Sequence, residues 1–423
     1  MNFADATLAN DISLPVNRWG GNSTTRYNYL INSSNHASDW YYENIGDDQS
    51  ADQFVTANKT RGTDSIITMP LIGYTAKSAD YACGFSISKY GLQQDHDPYQ
   101  PNCGNGIKTN GTFVTGNNPL DTSYAITPTF VQGWINHLKG NFGAANAGGV
   151  RFYNLDNEPM LWSETHRDVH PIPLSYDEER DNTYAYAAAI KATDPAAKTL
   201  GPVEWGWSGY FYSMKDMTQP GNWWNNPIDR NAHGGVELTA WYLGQMKLYE
   251  QQHGVRILDY LDLHYYPQSD GVSLSDDVSP ATQALRLRNT RSLWDPTYVD
   301  ESWINDKIRM IPRMHDWVNT YYPGTKLAIT EYNFGAVKDI NGAVTEADVL
   351  GIFGREGLDL ATMWDPPSAT QPAAYAFRMY RNYDGQHSMF GASGVQATSS
   401  DQSKVSVFAA LRANNALTIM VVN

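Results

Sequence analysis

Seven short apolar runs recur along the chain and alternate with longer segments of helical pattern. Most of these runs are continuously apolar, which is typical of parallel strands that are covered on both faces. We predict strands over residues 14–18, 65–71, 150–154, 199–203, 258–264, 327–330 and 358–363. Helices are predicted over residues 127–138, 182–193, 236–252 and 303–320. Strands that alternate with helices over 423 residues predict an α/β fold, a (β/α)8 TIM barrel.

The eighth strand of this barrel is expected at the start of the chain. A barrel has to close, and only residues 1–3 lie before the segment 5–10, so we expect the chain to begin within its first barrel strand. From Val395 onward the pattern is β-like, with a hairpin turn at Asn414-Asn415. We therefore predict a barrel domain with an incomplete first strand and a small, truncated all-β sandwich portion, over residues 1–392 and 393–423 respectively.

The charge of the chain excludes several classes of partner. Asp and Glu number 45 against 30 Lys and Arg, a formal charge of −15, so nucleic acid and anionic membranes are not expected partners. No apolar run approaches the roughly 20 residues that a membrane span needs. The first ten residues lack the basic and apolar regions of an export signal, so either the protein stays inside the cell or a signal lies upstream of Met1.

Two cysteines, Cys83 and Cys103, lie in a segment rich in Gly and Asn. A disulfide between them and two free thiols are both open, because one pair falls far short of a disulfide framework.

Aromatic residues outside helical segments point to carbohydrate. The chain has 13 Trp and 27 Tyr, and many of them stand beside Gly, Asn, Asp or Pro. Neutral sugars present flat C–H faces and rings of hydroxyl groups, so a glycan groove needs aromatic platforms flanked by acids and amides. For Trp241 and Trp317, which lie in helical segments, core packing is the better interpretation.

Two glutamates follow apolar strands and carry the candidate chemistry. Glu158 stands in YNLDNEP and Glu331 in LAITEYNFG, and the carboxyl ends of barrel strands are where TIM-barrel active sites lie. Glycoside hydrolysis needs two carboxyls, one to protonate the leaving oxygen and one to attack or to activate water. A single glutamate would more commonly be a solvated surface charge, but two at separate strand ends favour a catalytic pair.

Six segments, in the order in which the family has them, resemble motifs of glycoside hydrolase family 44. These segments are NRWGGNSTTRYN, DWYYENI, YNLDNEPMLWSETHRDVHP, LDLHYYPQ, ITEYNFG and REGLDLATMWDPP. The resemblance implies a secreted, retaining, endo-acting β-1,4-glucanase that cleaves cellulose derivatives and xyloglucan, with lichenan and xylan as further candidate substrates. It also implies a (β/α)8 barrel packed on a β-sandwich. We expect a monomer that needs no cofactor for chemistry.

The resemblance also assigns roles. Glu158 is similar to the family's acid/base and Glu331 to its nucleophile, and Asn157 is expected to bind the sugar 2-hydroxyl. The residues expected to bind substrate are Asn17, Arg18, Trp19, Asn157, His264, Tyr265 and Trp364.

Two pairs of residues have side chains that can bind metal ions. His166 and His170 have a metal-ligand spacing, but their segment does not look helical, so we expect them to brace the Glu158 loop. Glu43 and Asp97 have the oxygen ligands that a structural calcium ion prefers, and we predict them as its ligands.

Two other functions remain open at this stage. One is a non-catalytic carbohydrate-binding protein, which the presence of both glutamates disfavours. The other is a retaining barrel xylanase or mannanase, which would share the glutamate pair but lack RWGGN and HRDVHP.

Overall fold

The structure is a computed structural model that describes residues 1–402 and 404–423. Its strands are β1 Val16–Trp19, β2 Ser33–Asn35, β3 Glu43–Gly46, β4 Asp64–Met69, β5 Tyr74–Ala76, β6 Asp80–Cys83, β7 Ser123–Ala125, β8 Phe152–Leu155, β9 Lys198–Glu204, β10 Tyr260–Leu263, β11 Lys326–Ile329, β12 Leu360–Ala361, β13 Ser393–Val395, β14 Ser406–Leu411 and β15 Leu417–Val422. Its α-helices are α1 Ala6–Asp11, α2 Ala51–Arg61, α3 Ile87–Tyr90, α4 Pro128–Phe142, α5 Trp162–Thr165, α6 Tyr176–Thr193, α7 Trp207–Phe211, α8 Met214–Met217, α9 Ile228–Ala232, α10 Leu238–His253, α11 Pro280–Asn289, α12 Met310–Tyr321, α13 Ile340–Glu356 and α14 Pro372–Arg381.

Seven parallel strands form one curled sheet, in the order β1-β4-β8-β9-β10-β11-β12. They coincide with the seven predicted strands, so the predicted α/β barrel class is confirmed. Residues at the start of the chain lie between the two edges of this sheet. Asn2 forms a parallel bridge with Arg18 of β1, and its backbone N–H donates to the carbonyl of Met363, just after β12, at 2.8 Å.

The barrel interior has two chemically different layers, because alternate residues of a strand face the same side. Near the strand starts the interior is apolar and consists of Val16, Ile66, Phe152, Leu200, Tyr260 and Ala328. Two residues further along three of these strands the buried side chains are Arg18, Asn154 and Asp262. The strand sequence therefore changes from apolar to polar toward the carboxyl ends.

One predicted helix begins later than expected. The interpretation of residues 303–320 as a single helix was wrong, because α12 starts only at Met310. Before it, the Asp300 carboxylate accepts the Ser302 N–H at 3.0 Å, and Ser302 Oγ accepts the Ile304 N–H at 3.2 Å. Such side chain–backbone bonds favour turns over helix.

At the end of the chain β13, β14 and β15 form an antiparallel sheet, which confirms the predicted all-β portion. The hairpin turn lies where it was predicted, with Asn415 at φ 64°. The sheet packs on the barrel through Phe408, whose ring lies so close to Gly351 of α13 that a Cβ there would meet it at 2.3 Å.

The segments that connect β1, β4 and β8 contain two small antiparallel sheets, β2-β3-β6 and β5-β7. Cys83 at the end of β6 forms a disulfide with Cys103, so the structure favours the disulfide of the two alternatives. Among the helices of the described residues, none combines the length and apolar character required to cross a bilayer.

Candidate active site

Glu158 and Glu331 meet at the carboxyl end of the barrel. Glu158 follows β8 and Glu331 follows β11, and a carboxylate oxygen of each lies within 4.8 Å of the other and of a His264 ring nitrogen. The side chains of Glu158 and Glu331 are 15% and 7% exposed, so both are reachable from solvent but largely desolvated. The two residues are far apart in the sequence, but the curled sheet brings the ends of their strands close together in space.

Arg18 on β1 holds this end of the barrel together. Its guanidinium is fully buried and donates to Glu331 Oε1 at 2.6 Å, forming an ion pair. The remaining N–H groups donate to Asn154 at 2.8 Å, Asn157 at 2.7 Å and Asn2 at 3.1 Å. Because the fork of an arginine is planar and only donates, these four acceptors are fixed relative to one another.

Glu331 is held at both oxygens. Arg18 occupies Oε1, and the hydroxyl of Tyr266 donates to Oε2 at 2.7 Å. His264 Nδ1 lies 3.5 Å from the same Oε2. A carboxylate held in this way cannot rotate freely, so the direction of its lone pairs into the cleft is defined.

Glu158 has an unusual backbone. Its φ and ψ of 48° and 54° lie in the left-handed region, which costs an L-residue roughly 1–2 kcal/mol. The conformation is fixed by the following Pro159, which begins a 3-10 turn, and by the Glu158 N–H, which donates to Val203 of β9 at 3.1 Å. The strained turn directs the side chain over the barrel mouth.

Burial raises the pKa of Glu158 to about 7, and the negative charge of Asp39 adds to the rise while Arg18 opposes it. Its Oε1 lies 2.8 Å from His264 Nδ1. Burial lowers the pKa of His264 to about 4 even though Glu331 opposes the shift, so the imidazole is neutral near pH 7. The site therefore pairs a carboxyl that retains its proton near neutrality with a neutral imidazole.

Two further carboxyls lie beneath Glu158. Glu204 ends β9 and is fully buried, and neither of its oxygens has a hydrogen-bond partner among the described residues. Burial raises the pKa of Glu204 well above its ordinary value, and the nearby Glu179 and Glu158 raise it further. The pKa of Glu179 is likewise raised well above its ordinary value by burial. Both groups therefore keep their protons to higher pH than solvated glutamates.

Three of the predicted substrate-binding residues do not face this site. Asn17 and Trp19 flank Arg18 on β1 and point to the helix layer, where Asn17 donates to Asn58 at 3.1 Å and Trp19 packs against Phe54 with ring centroids 5.5 Å apart. Tyr265 is 4% exposed and belongs to the hydrophobic core. These three side chains therefore face away from the carboxyl pair, because neighbouring positions on a strand face opposite sides.

The same alternation identifies residues that the sequence analysis missed. The hydroxyl of Tyr266, and not that of Tyr265, donates to the Glu331 carboxylate. The buried polar residues below the glutamates are Asn2, Asn154, Asp262 and Thr330. The signal that could have found Asn154 and Asp262 is a polar residue inside an otherwise apolar strand, as in FYNL and YLDL.

Trp364 and Asn157, two of the residues predicted to bind substrate, both lie against Gly21. The Trp364 ring covers Gly21, where a Cβ would meet it at 2.6 Å, and the Gly21 N–H donates to Asn157 Oδ1 at 3.2 Å. Gly20 similarly leaves room for the Arg18 guanidinium, which a Cβ would meet at 2.3 Å. The two glycines of RWGGN are therefore needed for close approach at the site.

A cleft of about 740 Å³ is lined by residues that include Asp39, Trp40, Tyr41, Phe113, Glu164 and Arg167, and the carboxyl pair itself does not line it. Asp39 joins it to the site, because Asn22 donates to Asp39 at 3.1 Å and accepts from Asn157 at 3.3 Å. Trp40 stacks beside the exposed Tyr99 with ring centroids 6.5 Å apart. The cleft thus combines aromatic faces with acids and amides.

Glu43 and Asp97, the predicted calcium ligands, lie next to each other, and Asp97 contacts Trp40 of this cleft. Glu43 is fully buried, and neither of its oxygens has a hydrogen-bond partner among residues 1–402 and 404–423. Burial raises the pKa of Glu43 to about 8, and the adjacent Asp97 contributes to the rise. Asp97 also accepts the indole N–H of Trp40 at 3.1 Å. A buried carboxyl without a donor and beside a second carboxyl fits a cation ligand.

His166 and His170 lie in the segment that follows Glu158. Neither ring nitrogen of the buried His166 has a partner in the described part of the chain, and burial lowers its pKa well below the ordinary value. His170 contacts Glu178 at 2.9 Å and packs its ring on Trp162 at 5.2 Å. These contacts are those of packing residues that support the segment.

A (β/α)8 barrel that brings two glutamates together at the carboxyl ends of its strands is typical of a glycoside hydrolase. The sequence profile of glycoside hydrolase family 44 matches residues 33–269. The chain belongs to this family, so the resemblance noted from its motifs is confirmed.

Solved structures and curated relatives agree with this assignment. CelM2, a bifunctional glucanase-xylanase from a metagenome library, is 47% identical with a TM-score of 0.96, over 100% of this chain and 83% of that one. A Paenibacillus polymyxa xyloglucanase of family 44, solved with xyloglucan, is 30% identical with a TM-score of 0.80, over 100% of this chain and 83% of its own. Endoglucanase A of Paenibacillus lautus is 33% identical over 96% of this chain. The chain spans 32% and 59% of the length of two curated relatives that it matches.

Proposed function

We propose that this chain is a retaining, endo-acting β-1,4-glucanase in which Glu158 is the acid/base and Glu331 the nucleophile. The observation that carries the proposal is the distance between their carboxylate oxygens, which is within 4.8 Å. Retaining enzymes hold their carboxyls roughly 5–5.5 Å apart, whereas inverting enzymes need about 6.5–9.5 Å to admit a water between sugar and base. The short distance therefore supports direct attack by a carboxylate.

In the first step Glu331 attacks the anomeric carbon as a carboxylate. Arg18 and Tyr266 hold its two oxygens, so one lone pair is presented to the sugar in a fixed direction. The bond to the leaving glycosidic oxygen breaks as Glu158 delivers its proton to that oxygen. Because the pKa of Glu158 is raised to about 7, a large fraction of it carries the required proton at and below neutral pH.

In the second step the roles of the carboxyls change. Glu158, now a carboxylate, removes a proton from water, and the resulting hydroxide attacks the anomeric carbon of the glycosyl ester on Glu331. The Glu331–sugar bond breaks, the carboxylate is restored and Glu158 is protonated again. No cofactor enters either step.

Asn157 is placed to bind the sugar in the cleavage subsite. Its Oδ1 accepts from both Arg18 and the Gly21 backbone, so the amide cannot flip without losing two donors. Its Nδ2 donates to Asn22 at 3.3 Å and can also donate to a sugar 2-hydroxyl. Trp364 supplies the adjacent aromatic wall, and Arg18 and His264 act through the carboxyls they hold.

The cleft and the relatives support a polymeric substrate. Cellulose derivatives and xyloglucan are the expected glucans, because the matched proteins include endoglucanases and a xyloglucanase. Xylan is a second candidate, favoured by the likeness to a glucanase-xylanase. Lichenan is a further glucan to assay. A polysaccharide too large to cross a membrane and the Cys83–Cys103 disulfide both support a secreted enzyme, which we expect to act as a monomer.

The activity is tested on soluble carboxymethyl cellulose, xyloglucan, lichenan and xylan. Endo cleavage is expected to lower viscosity well before reducing ends accumulate. Glu331→Gln should abolish hydrolysis while binding of glucan persists, and Asp181→Asn, which removes an exposed carboxyl of α6, should behave like the wild type. Hydrolysis by Glu331→Gln, or glucan binding without hydrolysis by the wild type, would refute the proposal.

Glu43 and Asp97 are proposed as ligands of a structural calcium ion. Bound there, the ion would neutralise two adjacent carboxyls and support the loop that carries Trp40. Calcium is expected to raise the Tm of the wild type and to leave that of Glu43→Gln unchanged. Equal responses of the two proteins would contradict the assignment.

A further inference from the structure

A line of buried hydrogen bonds runs below the site from Arg18 to Glu158. Arg18 Nε donates to Asn154 Oδ1 at 2.8 Å, and Asn154 Nδ2 donates to Asp262 Oδ2 at 2.5 Å. Thr330 Oγ1 lies 2.7 Å from the same Asp262 oxygen and 3.3 Å from His264 Nε2. The last link joins His264 Nδ1 and Glu158 at 2.8 Å.

The direction of each bond in this line can be worked out from its ends. Arginine only donates, so the Asn154 amide is oriented with its oxygen toward Arg18 and its NH2 group toward Asp262. The other Asp262 oxygen accepts the backbone N–H of Thr330 at 3.0 Å. An aspartate surrounded by donors in this way is an acceptor, and the hydroxyl proton of Thr330 therefore points at Asp262.

The direction continues through His264. Because the Thr330 hydroxyl donates its proton to Asp262, its Oγ1 has a lone pair directed at His264 Nε2. That nitrogen must then carry the imidazole proton, because the ring is neutral and two lone pairs facing each other repel. The remaining nitrogen, Nδ1, is left with a lone pair directed at Glu158.

We propose that Thr330 is a positioning residue whose hydroxyl, oriented by Asp262, holds His264 in the Nε2–H tautomer, so that Nδ1 accepts a hydrogen bond from protonated Glu158. The naming of Glu158 as the acid rests on the proposed function, whereas the tautomer does not. The opposite tautomer would require Thr330 to donate to His264, which leaves its oxygen facing an Asp262 oxygen at 2.7 Å with no proton between them.

The charges around the two groups agree with a single shared proton. Burial lowers the pKa of His264, with Arg18 on the same side and Glu331 and Asp262 opposing. Burial raises the pKa of Glu158, with Asp39 on the same side and Arg18 opposing. The carboxylate of Glu331, within 4.8 Å, and the protonated carboxyl of Glu204 also face it. The phenol of Tyr266 also faces Glu158 and donates to Glu331. A protonated carboxyl that donates to a neutral imidazole agrees with burial, which is the largest influence on both groups and outweighs the opposing charges of Glu331, Asp262 and Arg18.

Without the Thr330 hydroxyl, the Nε2–H tautomer of His264 should no longer be favoured. In Thr330→Val nothing holds the proton on Nε2, and His264 can donate from Nδ1 to an ionised Glu158 instead. A hydrogen bond to the charged form lowers the pKa of a carboxyl. The proton of Glu158 is therefore expected to be lost about one pH unit lower, which corresponds to about 1.4 kcal/mol. Thr330→Ser keeps the hydroxyl and should retain the wild-type behaviour.

The tautomer is measured on the full chain labelled with 15N at histidine, with the His264 signals assigned by their loss in His264→Gln. The wild type and Thr330→Ser should show a protonated Nε2 and an unprotonated Nδ1, and Thr330→Val the reverse or a mixture. Titration of 13C-labelled carboxyls should show the downward shift for Glu158 in Thr330→Val only. A wild-type Nδ1 that carries the proton would overturn the proposal, and this result needs no variant to fold.

The same variants separate this inference from the proposed function. If hydrolysis occurs, the alkaline limb of kcat/KM should move about one pH unit lower in Thr330→Val. A merely structural role would lower kcat/KM by the same factor at every pH and would contradict the inference. If no hydrolysis is found but the tautomer is as stated, the proposed function fails while the hydrogen-bond line stands.

Discussion

Replacing Glu158 by glutamine is expected to stabilise the folded protein near and above neutral pH, but not in acid. The side chain is 15% exposed, and its pKa is raised from 4.5 to about 7 in the folded state, chiefly by burial. The unfolded chain therefore loses this proton at a lower pH than the folded protein does. Glutamine keeps the size and cannot ionise, so its contribution does not change with pH.

The magnitude follows from the difference between the two pKa values. Because the folded pKa is the higher one, the stability that the wild-type proton contributes is complete below pH 4.5 and is lost as pH rises to about 7. A difference between 4.5 and about 7 corresponds to about 3 kcal/mol. The free energy of unfolding of Glu158→Gln, relative to wild type, should thus increase by about 3 kcal/mol across this interval.

The assay is urea unfolding of both proteins at a series of pH values from about 4 to about 8. Glu164→Gln serves as the control, because it removes an exposed carboxyl from the same segment and changes the net charge equally. The control should follow the wild type at every pH. A Glu158→Gln curve that stays parallel to the wild type would show that Glu158 is solvated and would refute the reasoning.

Further predictions concern a buried ion pair, the disulfide and the pH profile. Arg26→Met should lower the free energy of unfolding by about 3–5 kcal/mol, measured in urea, because Asp168 then stays buried without its cation. Replacing Cys83 and Cys103 together by serine removes the disulfide that closes a loop of 20 residues, and it should lower the free energy of unfolding by about 3 kcal/mol in the same assay. Adding reductant should not change the stability of this variant further. For the wild type, kcat/KM should decline above about pH 7 as Glu158 loses its proton, and an unchanged rate to higher pH would contradict its assignment as the acid.

The barrel could be predicted from the sequence because its strands are continuously apolar and are separated by helical segments. Glu158 and Glu331 could be predicted for the same reason, since a polar residue directly after such a strand must emerge at the barrel mouth. What linked them to one site was the assumption that the barrel closes. The structure brings Asn2 between Arg18 and Met363, which meets that requirement.

The sequence was less informative about the direction of individual side chains. Trp19 and Tyr265 stand next to site residues in the sequence but face the helix layer, because a shift of one position along a strand changes the face. Asp262 was missed because it lies inside β10. Thr330 was missed because the predicted strand 327–330 included it, whereas β11 ends at Ile329. Their partners come from different strands, so the line of hydrogen bonds is visible only in three dimensions.

The start of α12 illustrates a different limit. The stretch before Met310 has helical spacing of its apolar residues, yet Asp300 and Ser302 bind the backbone N–H groups that a helix would need. Local side-chain hydrogen bonding overrides periodicity there.

The central claim is that Glu331 attacks the sugar directly, and the anomeric form of the first product tests it. Proton NMR during hydrolysis of a soluble cello-oligosaccharide distinguishes the newly formed β-anomer from the α-anomer before mutarotation mixes them. Double displacement predicts that the β-anomer appears first and the α-anomer only later. Initial formation of the α-anomer would mean that water attacks directly, and the proposed roles of Glu158 and Glu331 would then be wrong.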